Sequence, residues 1–406
     1  MHYILSKEFA FSILLLSGTI KAVLPLIGVS GIPDLTLLSA LMVTIIMVNH
    51  MRETLLSLPK NSFELILLLT LFYLFIIFSI SYSSAMSSSI TKTINFGTMA
   101  LALFFPLLVK EFNIKLFIKI LTITIFILSI IFLNFYTSYL NRDETLILSL
   151  GEEVAKQMTS LYLTVSWLNG ILFLYYFFDK EQNPTIRWSV LVISFIFLIS
   201  AGGRGPLLFT VVILGIYLLY QLFIMINTFL LNKLIVPILI MLFMTFSIIF
   251  LVSNVKLENY DKSLKLVDNT VARLMELVNT SDGGASAHSR IVNAKFSIKK
   301  INEHPFWGYG IGSYGYEKLG IDELDYPHNI FLEVWFELGY IPLIIFLLIF
   351  YRVFMMIDKE NSPWAVALFF FFLLNLLKSS SLIDTRMMFG FFALFSIAQD
   401  RKIIKG

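Results

Sequence analysis

The sequence contains no cysteine, which excludes disulfide bonds, iron–sulfur clusters and thiolate catalysis. Only five histidines are present, and no two of them have the HxxxH spacing that could build a helical zinc site. Charged residues make up 14% of the chain, against about 25% in a soluble domain. The net charge of +3 is too small to indicate a nucleic-acid partner. The scarcity of cysteine and histidine argues against a zinc site, and we expect no cofactor and no nucleic-acid partner.

Apolar residues dominate what is present: 58% of the chain is hydrophobic, and it includes 40 phenylalanines. A water-soluble fold could not bury so much apolar surface, so the sequence predicts an all-α integral membrane protein with a single membrane domain over 1–406. The N-terminal apolar run is long and lacks a small-residue cleavage site, which predicts a first span and not a cleaved signal. Runs of about 20 apolar residues predict about twelve spans. They lie near 9–30, 33–50, 62–82, 92–109, 114–135, 157–178, 187–201, 206–223, 231–254, 328–351, 363–379 and 386–399.

The predicted orientation follows from lysine and arginine, which are more frequent in one alternate set of short loops. Because positive loops remain in the cytoplasm, both termini are predicted to be cytoplasmic. The long polar segment 255–327, between the ninth and tenth spans, then lies on the extracytoplasmic face. Its apolar periodicity predicts helices over 262–279 and 286–303, with the second ending before Pro305.

Arg290 lies on the second of these helices. At about 100° per residue, Arg290 flanks an apolar stripe that is expected to pack on the protein, while Lys295 and Lys299 point away. The stripe comprises Ile291, Ala294, Ile298 and Ile301. An arginine on a packed face needs an anion or other acceptors, so it either binds a ligand or forms a structural ion pair.

His328 and Asn329 open the span that follows the long segment. The partial positive charge at a helix N-terminus disfavours imidazolium, which would keep His328 neutral near pH 7. A neutral histidine can act as a general base. The alternative is a capping or interface role.

Glu333 and Glu337 follow Asn329 at i+4 and i+8, so all three share one helix face. A glutamate inside a membrane must face the protein interior or a wet cavity. The two glutamates either orient His328 or an arginine, or they are structural.

Arg204 lies far upstream, in a GGRGP turn between two predicted spans. The neighbouring glycines allow a ligand to approach the backbone closely, and Pro206 suits the first turn of the next helix. A ligand-binding arginine and an arginine that reaches the membrane interface both fit this position.

Two further patterns in 255–327 are interpreted as structural and not as ligand sites. Gly310, Gly312 and Gly315 match GxGxxG, but no strand precedes them, so no dinucleotide site is expected. Gly308, Gly310 and Gly312 are expected to shape a turn. The acidic residues Asp322, Glu323 and Asp325 are expected to lie in a solvated loop.

The segment RIVNAKFSIKKINEHPFWGYGIGSY from Arg290, followed by YPHNIFLEVWFELG up to Gly339, resembles the signature of the O-antigen ligase and O-antigen polymerase superfamily. Members share an arginine helix, an HPxxGxG turn, an HN pair and an ExG element. The GGRG turn at Arg204 is similar to the upstream arginine motif of the family. Two positions depart from the pattern: Gly203 replaces the usual serine, and Ala294 the usual tryptophan.

The resemblance implies an inverting, metal-independent glycosyltransferase of the bacterial inner membrane, with its active site on the extracytoplasmic face. The implied donor is a glycan on undecaprenyl diphosphate, and the implied acceptor is a sugar hydroxyl. In this interpretation His328 is the base, Arg204 and Arg290 hold the diphosphate, and Asn329, Glu333 and Glu337 contribute to substrate binding. Membrane lipid surrounds the spans, and the lipid tail of the donor would reach the site laterally, between spans of the phenylalanine-rich bundle.

Three functions share these features. A polymerase of O-antigen or capsule repeat units would use a lipid-linked acceptor, whereas a ligase would transfer the polymer to lipid A-core. We favour the polymerase, because its group is the more sequence-diverse and tolerates the departure at Gly203. A flippase of lipid-linked oligosaccharide is the third candidate. It is disfavoured because transporters place their site near the midplane of the membrane.

Overall fold

The computed structural model describes residues 6–29, 33–55, 58–140, 152–228 and 285–403. These residues form α-helices joined by short turns, and no strand occurs among them. The helices are α1 Lys7–Val23, α2 Leu35–Leu55, α3 Lys60–Ser79, α4 Met86–Leu108, α5 Ile114–Leu140, α6 Glu152–Phe178, α7 Pro184–Ser200, α8 Arg204–Thr228, α9 Ala285–Glu303, α10 Tyr314–Leu319, α11 Ile330–Leu338, α12 Tyr340–Met356, α13 Pro363–Ser379 and α14 Arg386–Ile403. The all-α prediction is confirmed for this part of the chain.

Seven helices, α1 to α6 and α8, are long and apolar enough to cross a membrane. Four shorter helices, α7, α12, α13 and α14, are also apolar. All of them overlap predicted spans. The predicted span 231–254 and the predicted helix 262–279 lie outside the described residues, so the count of about twelve and the orientation of the chain stay predictions.

The chain divides into two compact units. The first joins Met1–Lys21, Gly31–Ile123 and Ala285–Gly406, and the second comprises Ala22–Ser30 and Thr124–Gly284. Stacked phenylalanines fill the first unit; the Phe72 ring, for example, lies 5.1 Å from that of Phe346. In the second unit, Asn169 of α6 donates a buried 2.8 Å hydrogen bond to Ser129 of α5.

The predicted span 328–351 is wrong as a single helix, because it breaks at Gly339 into α11 and α12. Gly339 has φ 86°, and a Cβ there would lie 2.1 Å from the Phe306 carbonyl oxygen. That oxygen accepts a 3.2 Å hydrogen bond from the Tyr340 amide. The Tyr340 amide thus bonds to the turn that follows α9 and not to a preceding turn of its own helix.

The predicted start of α4 is also wrong: the helix begins at Met86, six residues before the predicted residue 92. Asp322, distant in sequence, accepts hydrogen bonds from the amides of Ser87 (2.8 Å) and Ser88 (3.0 Å). These bonds satisfy amides that lack partners in the first turn of a helix. A hydrogen bond from the Ser88 hydroxyl, together with these two amides, lowers the pKa of Asp322. Lys92 consequently lies inside α4 and not at its end.

The glycines of the 308–312 turn shape the chain as predicted. Gly310 and Gly312 have φ of 89° and 74°, which favour glycine. A Cβ on Gly310 would lie 2.4 Å from Ser83 Cα, and one on Gly312 would lie 2.8 Å from the Ser88 carbonyl carbon. The turn is therefore docked directly on the start of α4.

Helix α9 confirms the predicted helix 286–303, but its buried face differs from the predicted apolar stripe. Asn293, Ser297 and Ile301 are buried, whereas Ile291 and Ile298 are about half exposed. The Ser297 hydroxyl donates to the Asn293 carbonyl of its own helix, so a serine can be buried with its hydrogen bond satisfied. Apolar periodicity misleads here because apolar side chains of a membrane protein can face lipid as well as protein.

Candidate functional site

His328 lies at the start of α11, in a backbone conformation that few residues adopt. Its φ is 62°, in the left-handed region that costs a residue with a Cβ about 1–2 kcal/mol. Asn329 follows as the N-cap residue, and its Oδ1 accepts from the amides of Phe331 (3.0 Å) and Leu332 (3.1 Å). Its Nδ2 donates to the Leu377 carbonyl at 3.0 Å. The bond to Leu377 attaches the His328–Asn329 turn to the end of α13.

The imidazole of His328 is half-buried against an aromatic ring. The ring centroid of Tyr326 lies 4.6 Å away, with the planes at 63°. Within the described structure the buried Nδ1 of His328 has no hydrogen-bond partner. Burial lowers the pKa of His328 from its usual value near 6.5, and the charge of Arg290 lowers it further. The predicted neutral histidine is supported, although burial and Arg290 are the cause.

Arg290 reaches this neighbourhood from α9. Its charge acts on both His328 and Tyr326, lowering the pKa of each. For Tyr326 the larger effects are burial and the nearby carboxylates, which raise its pKa. The structure therefore brings a cation and a neutral base together at the start of α11, where a phosphate and a hydroxyl could meet.

Glu333 and Glu337 do share one face of α11, and that face contacts a lysine at which the predicted span 92–109 begins. Lys92 of α4 is 1% exposed, and its ammonium forms ion pairs with both carboxylates. Both oxygens of Glu337 lie 2.8 Å from Lys92 Nζ. Both glutamates thus have a partner within the protein. Their predicted part in substrate binding stays a prediction.

Glu333 has a second set of partners, in the turn between α13 and α14. Its Oε1 accepts from the Ser381 hydroxyl and its Oε2 from the Leu382 amide, both at 2.8 Å. The carboxylate of Asp384 closes the same turn by accepting from the Ser381 amide at 3.1 Å. Burial raises the pKa of Asp384.

Arg204 is the first residue of α8 and belongs to the second unit. The Gly203 amide before it donates a 2.9 Å hydrogen bond to Ser166 Oγ. A Cβ on Gly203 would lie 2.4 Å from Ser166 Cβ, so a serine cannot fit there while Ser166 holds its position. This contact is the local cause of the departure at Gly203. The predicted convergence of Arg204 with Arg290 and His328 stays a prediction.

Residues 189–347 match the family model described as O-antigen ligase. We call these residues the O-antigen ligase family segment. The resemblance in the sequence is thereby confirmed, and the segment contains every residue predicted for the site. A Rickettsia conorii (strain ATCC VR-613 / Malish 7) protein, provisionally named a polysaccharide ligase, is 38% identical over 90 residues. The alignment covers 19% of this chain and 22% of that protein, about a fifth of each.

Lys92, Ser381 and Leu382 lie outside the O-antigen ligase family segment, yet they contact its Glu333 directly. Sequence reasoning missed them. For Lys92 the sequence does contain a signal, the long apolar run that follows it. If the helix starts before Lys92, the lysine lies within the membrane span and needs a carboxylate partner. No comparable signal marks Ser381 or Leu382.

Two residues of the acidic run 322–325, which lies within the O-antigen ligase family segment, bond to other parts of the protein. Besides Asp322 at the start of α4, Asp325 pairs with Lys318 at 2.7 Å. In the described ranges no group of three or more His, Asp or Glu side chains could hold a metal ion.

The surroundings of His328 predict how transfer depends on pH. If the neutral imidazole is the base, kcat/KM should rise with pH through the pKa of His328. Because that pKa is lowered, the midpoint should fall below about 6.5, and activity should be constant near pH 7. The measurement is kcat/KM for glycan transfer between pH 4.5 and 8.

Two variants shift this midpoint in opposite directions. Asp325 raises the pKa of His328 and Lys318 lowers it. Asp325→Asn should therefore move the rising limb to lower pH, and Lys318→Met should move it to higher pH. An unchanged midpoint in both variants would remove His328 as the titrating group.

Proposed function

We propose that the protein is an inverting glycosyltransferase that moves a glycan from undecaprenyl diphosphate to the hydroxyl of an acceptor glycan. The observation that carries this proposal is the pairing of neutral His328 with the charge of Arg290 inside the O-antigen ligase family segment. Diphosphate is an anion whose oxygens suit an arginine fork, and a sugar hydroxyl needs a base.

The proposed step is a direct displacement. The acceptor oxygen attacks the anomeric carbon of the donor from the side opposite the diphosphate, and its proton passes to His328. The bond between the anomeric carbon and the diphosphate oxygen breaks, and its electron pair stays on that oxygen. Arg290, together with Arg204 in our proposal, stabilises the negative charge of the departing undecaprenyl diphosphate. Holding donor and acceptor in one place supplies much of the remaining rate enhancement.

The acceptor defines which enzyme this is, and we propose a repeat-unit polymerase. The support is the departure from the usual arginine motif at Gly203, which suits the more diverse polymerase group. A ligase that transfers polymer to lipid A-core is the second candidate. It is favoured by the description of the matched family and by the provisional name of the Rickettsia conorii protein. We further propose that the site faces the extracytoplasmic side, with both termini in the cytoplasm.

The test is an assay of the full-length protein in liposomes, with undecaprenyl-linked single repeat units as the only glycan. A polymerase should produce a ladder of lipid-linked products separated by one repeat unit. Liposomes that also contain lipid A-core test the alternative. Transfer to lipid A-core without chain growth would overturn the polymerase proposal in favour of the ligase. Absence of both reactions, with folded protein, would overturn the glycosyltransferase proposal.

A further inference from the structure

Three segments of the first unit meet at the side chain of Glu333. Its carboxylate contacts the ammonium of Lys92 from α4 and accepts hydrogen bonds from Ser381 and Leu382 in the turn before α14. Glu333 itself belongs to the first turn of α11, where its amide donates to the Asn329 carbonyl at 2.9 Å. We call these four residues, Glu333, Lys92, Ser381 and Leu382, together with Glu337, the Lys92 junction.

The Lys92 junction is cut off from water. Lys92 and Glu337 are each 1% exposed, and Glu333 is 0% exposed. An ammonium in such a place needs carboxylate partners, because an unpaired buried charge is strongly unfavourable. Contacts with three different residues leave the Glu333 side chain little freedom.

The junction is built next to the candidate base. His328 lies five residues before Glu333, and the intervening chain contains the N-cap Asn329 and the first turn of α11. Asn329 is anchored to the Leu377 carbonyl at the end of α13, and Glu333 is anchored to the turn that follows α13. Rotation or sliding of α11 would therefore have to break both attachments. Helix α11 is thus attached to its surroundings at its N-terminal end, next to His328.

We propose that Glu333, held in place by Lys92, is a positioning residue of the transfer site. Through its bonds to Lys92, Ser381 and Leu382 it fixes the start of α11, and with it the imidazole of His328, relative to bound substrates. This inference rests on the proposed function. It assigns Glu333 a role through His328 and not through contact with substrate.

Glu8 provides a matched control for Glu333. It is a second buried glutamate of the first unit, 3% exposed, and its Oε1 accepts from the Asn113 backbone amide at 2.8 Å. Glu333→Gln and Glu8→Gln each replace one buried carboxylate by an amide. In Glu333→Gln the introduced NH₂ group must face either the Leu382 amide or the Lys92 ammonium beside Ser381, so it meets a donor in both orientations. Glu8→Gln leaves every bond of Glu333 intact.

The expected result is a difference in kcat between two variants of similar stability. Glu333→Gln should lower kcat by about 10- to 100-fold, the range that a misplacement near 1 Å can cause. Its KM for the undecaprenyl-linked donor should change by no more than about threefold, because the arginines are untouched. Glu8→Gln should retain kcat within about threefold. Both values are measured in liposomes at a temperature at which each variant is folded.

Two further variants keep the test decisive. Ser381→Ala removes one of the bonds of Glu333 and no charge, and it should lower kcat by a smaller factor with KM unchanged; it replaces Glu333→Gln if that variant does not fold. His328→Ala, assayed in parallel, tests the proposed function itself. Equal kcat values for Glu333→Gln, Ser381→Ala and the wild type would overturn the positioning role even if His328→Ala is inactive. Activity in His328→Ala would instead overturn the proposed mechanism.

Discussion

Replacing His328 with alanine should reduce glycan transfer by about 10²- to 10⁴-fold, the contribution that a positioned general base makes. The reason is the environment of the imidazole. Burial and the charge of Arg290 lower its pKa, so it is a neutral base near pH 7. Its neighbour Arg290 supplies positive charge for a diphosphate. The measurement is the initial rate of product formation from the undecaprenyl-linked donor, at saturating donor and acceptor.

The backbone at His328 requires a second variant. Alanine at φ 62° is strained, whereas asparagine tolerates the left-handed region. His328→Asn should therefore fold like the wild type and still lack the base. His50→Ala is the matched control, because His50 is a partly exposed histidine near the end of α2. It lies outside the O-antigen ligase family segment. His50→Ala should keep its rate within about twofold. Wild-type rates in folded His328→Asn would exclude His328 as the base.

The long apolar helices could be predicted from the sequence because their cause is local. An isolated run of apolar residues such as that of α3 or α5 satisfies its backbone within itself, which is what a membrane requires. The N-cap at Asn329 is local too: the amides it caps lie two and three residues further along the chain. Where the partners of a segment are its own neighbours, the sequence is sufficient.

The errors occur where the partner is distant. Helix α4 starts early because Asp322 caps Ser87 and Ser88, and the span after His328 breaks because the Phe306 carbonyl approaches Gly339. Neither contact leaves a periodic signal. Lys92 was placed at the edge of a predicted span for the same reason, since its burial depends on where α4 begins.

The candidate site divides in the same way. His328 and Arg290 were predicted from residue type and helix position, and both lie in the first unit, where the charge of Arg290 acts on His328. The internal partners of Glu333 and Glu337 could not be predicted, because they come from α4 and from the turn before α14. Four segments that are far apart in the sequence thus build this half of the site.

Replacing Lys92 with methionine should destabilise the protein by about 3–5 kcal/mol, the cost of removing one partner from a buried ion pair. The substitution keeps the length of the side chain but leaves Glu333 and Glu337 as two neighbouring buried carboxylates. The measurement is the free energy of unfolding in detergent. Lys21→Met is the matched control. Lys21 pairs with Asp34 at 3.2 Å, but both side chains are at least half exposed, so the loss should be at most about 1 kcal/mol.

A neutral variant separates the stability of the Lys92 junction from its role in catalysis. Combining Lys92→Met with Glu333→Gln and Glu337→Gln removes all three charges, and a fully neutral replacement of a buried ion pair is often close to neutral in stability. The triple variant should therefore unfold within about 2 kcal/mol of the wild type and be more stable than Lys92→Met alone. It should nevertheless transfer glycan slowly, because the Glu333 carboxylate that contacts Lys92, Ser381 and Leu382 is gone. A triple variant that is as stable and as fast as the wild type would show that the buried charges serve neither folding nor the placement of His328. One that is no more stable than Lys92→Met would show that the lost packing of the lysine, and not the unpaired carboxylates, causes the destabilisation.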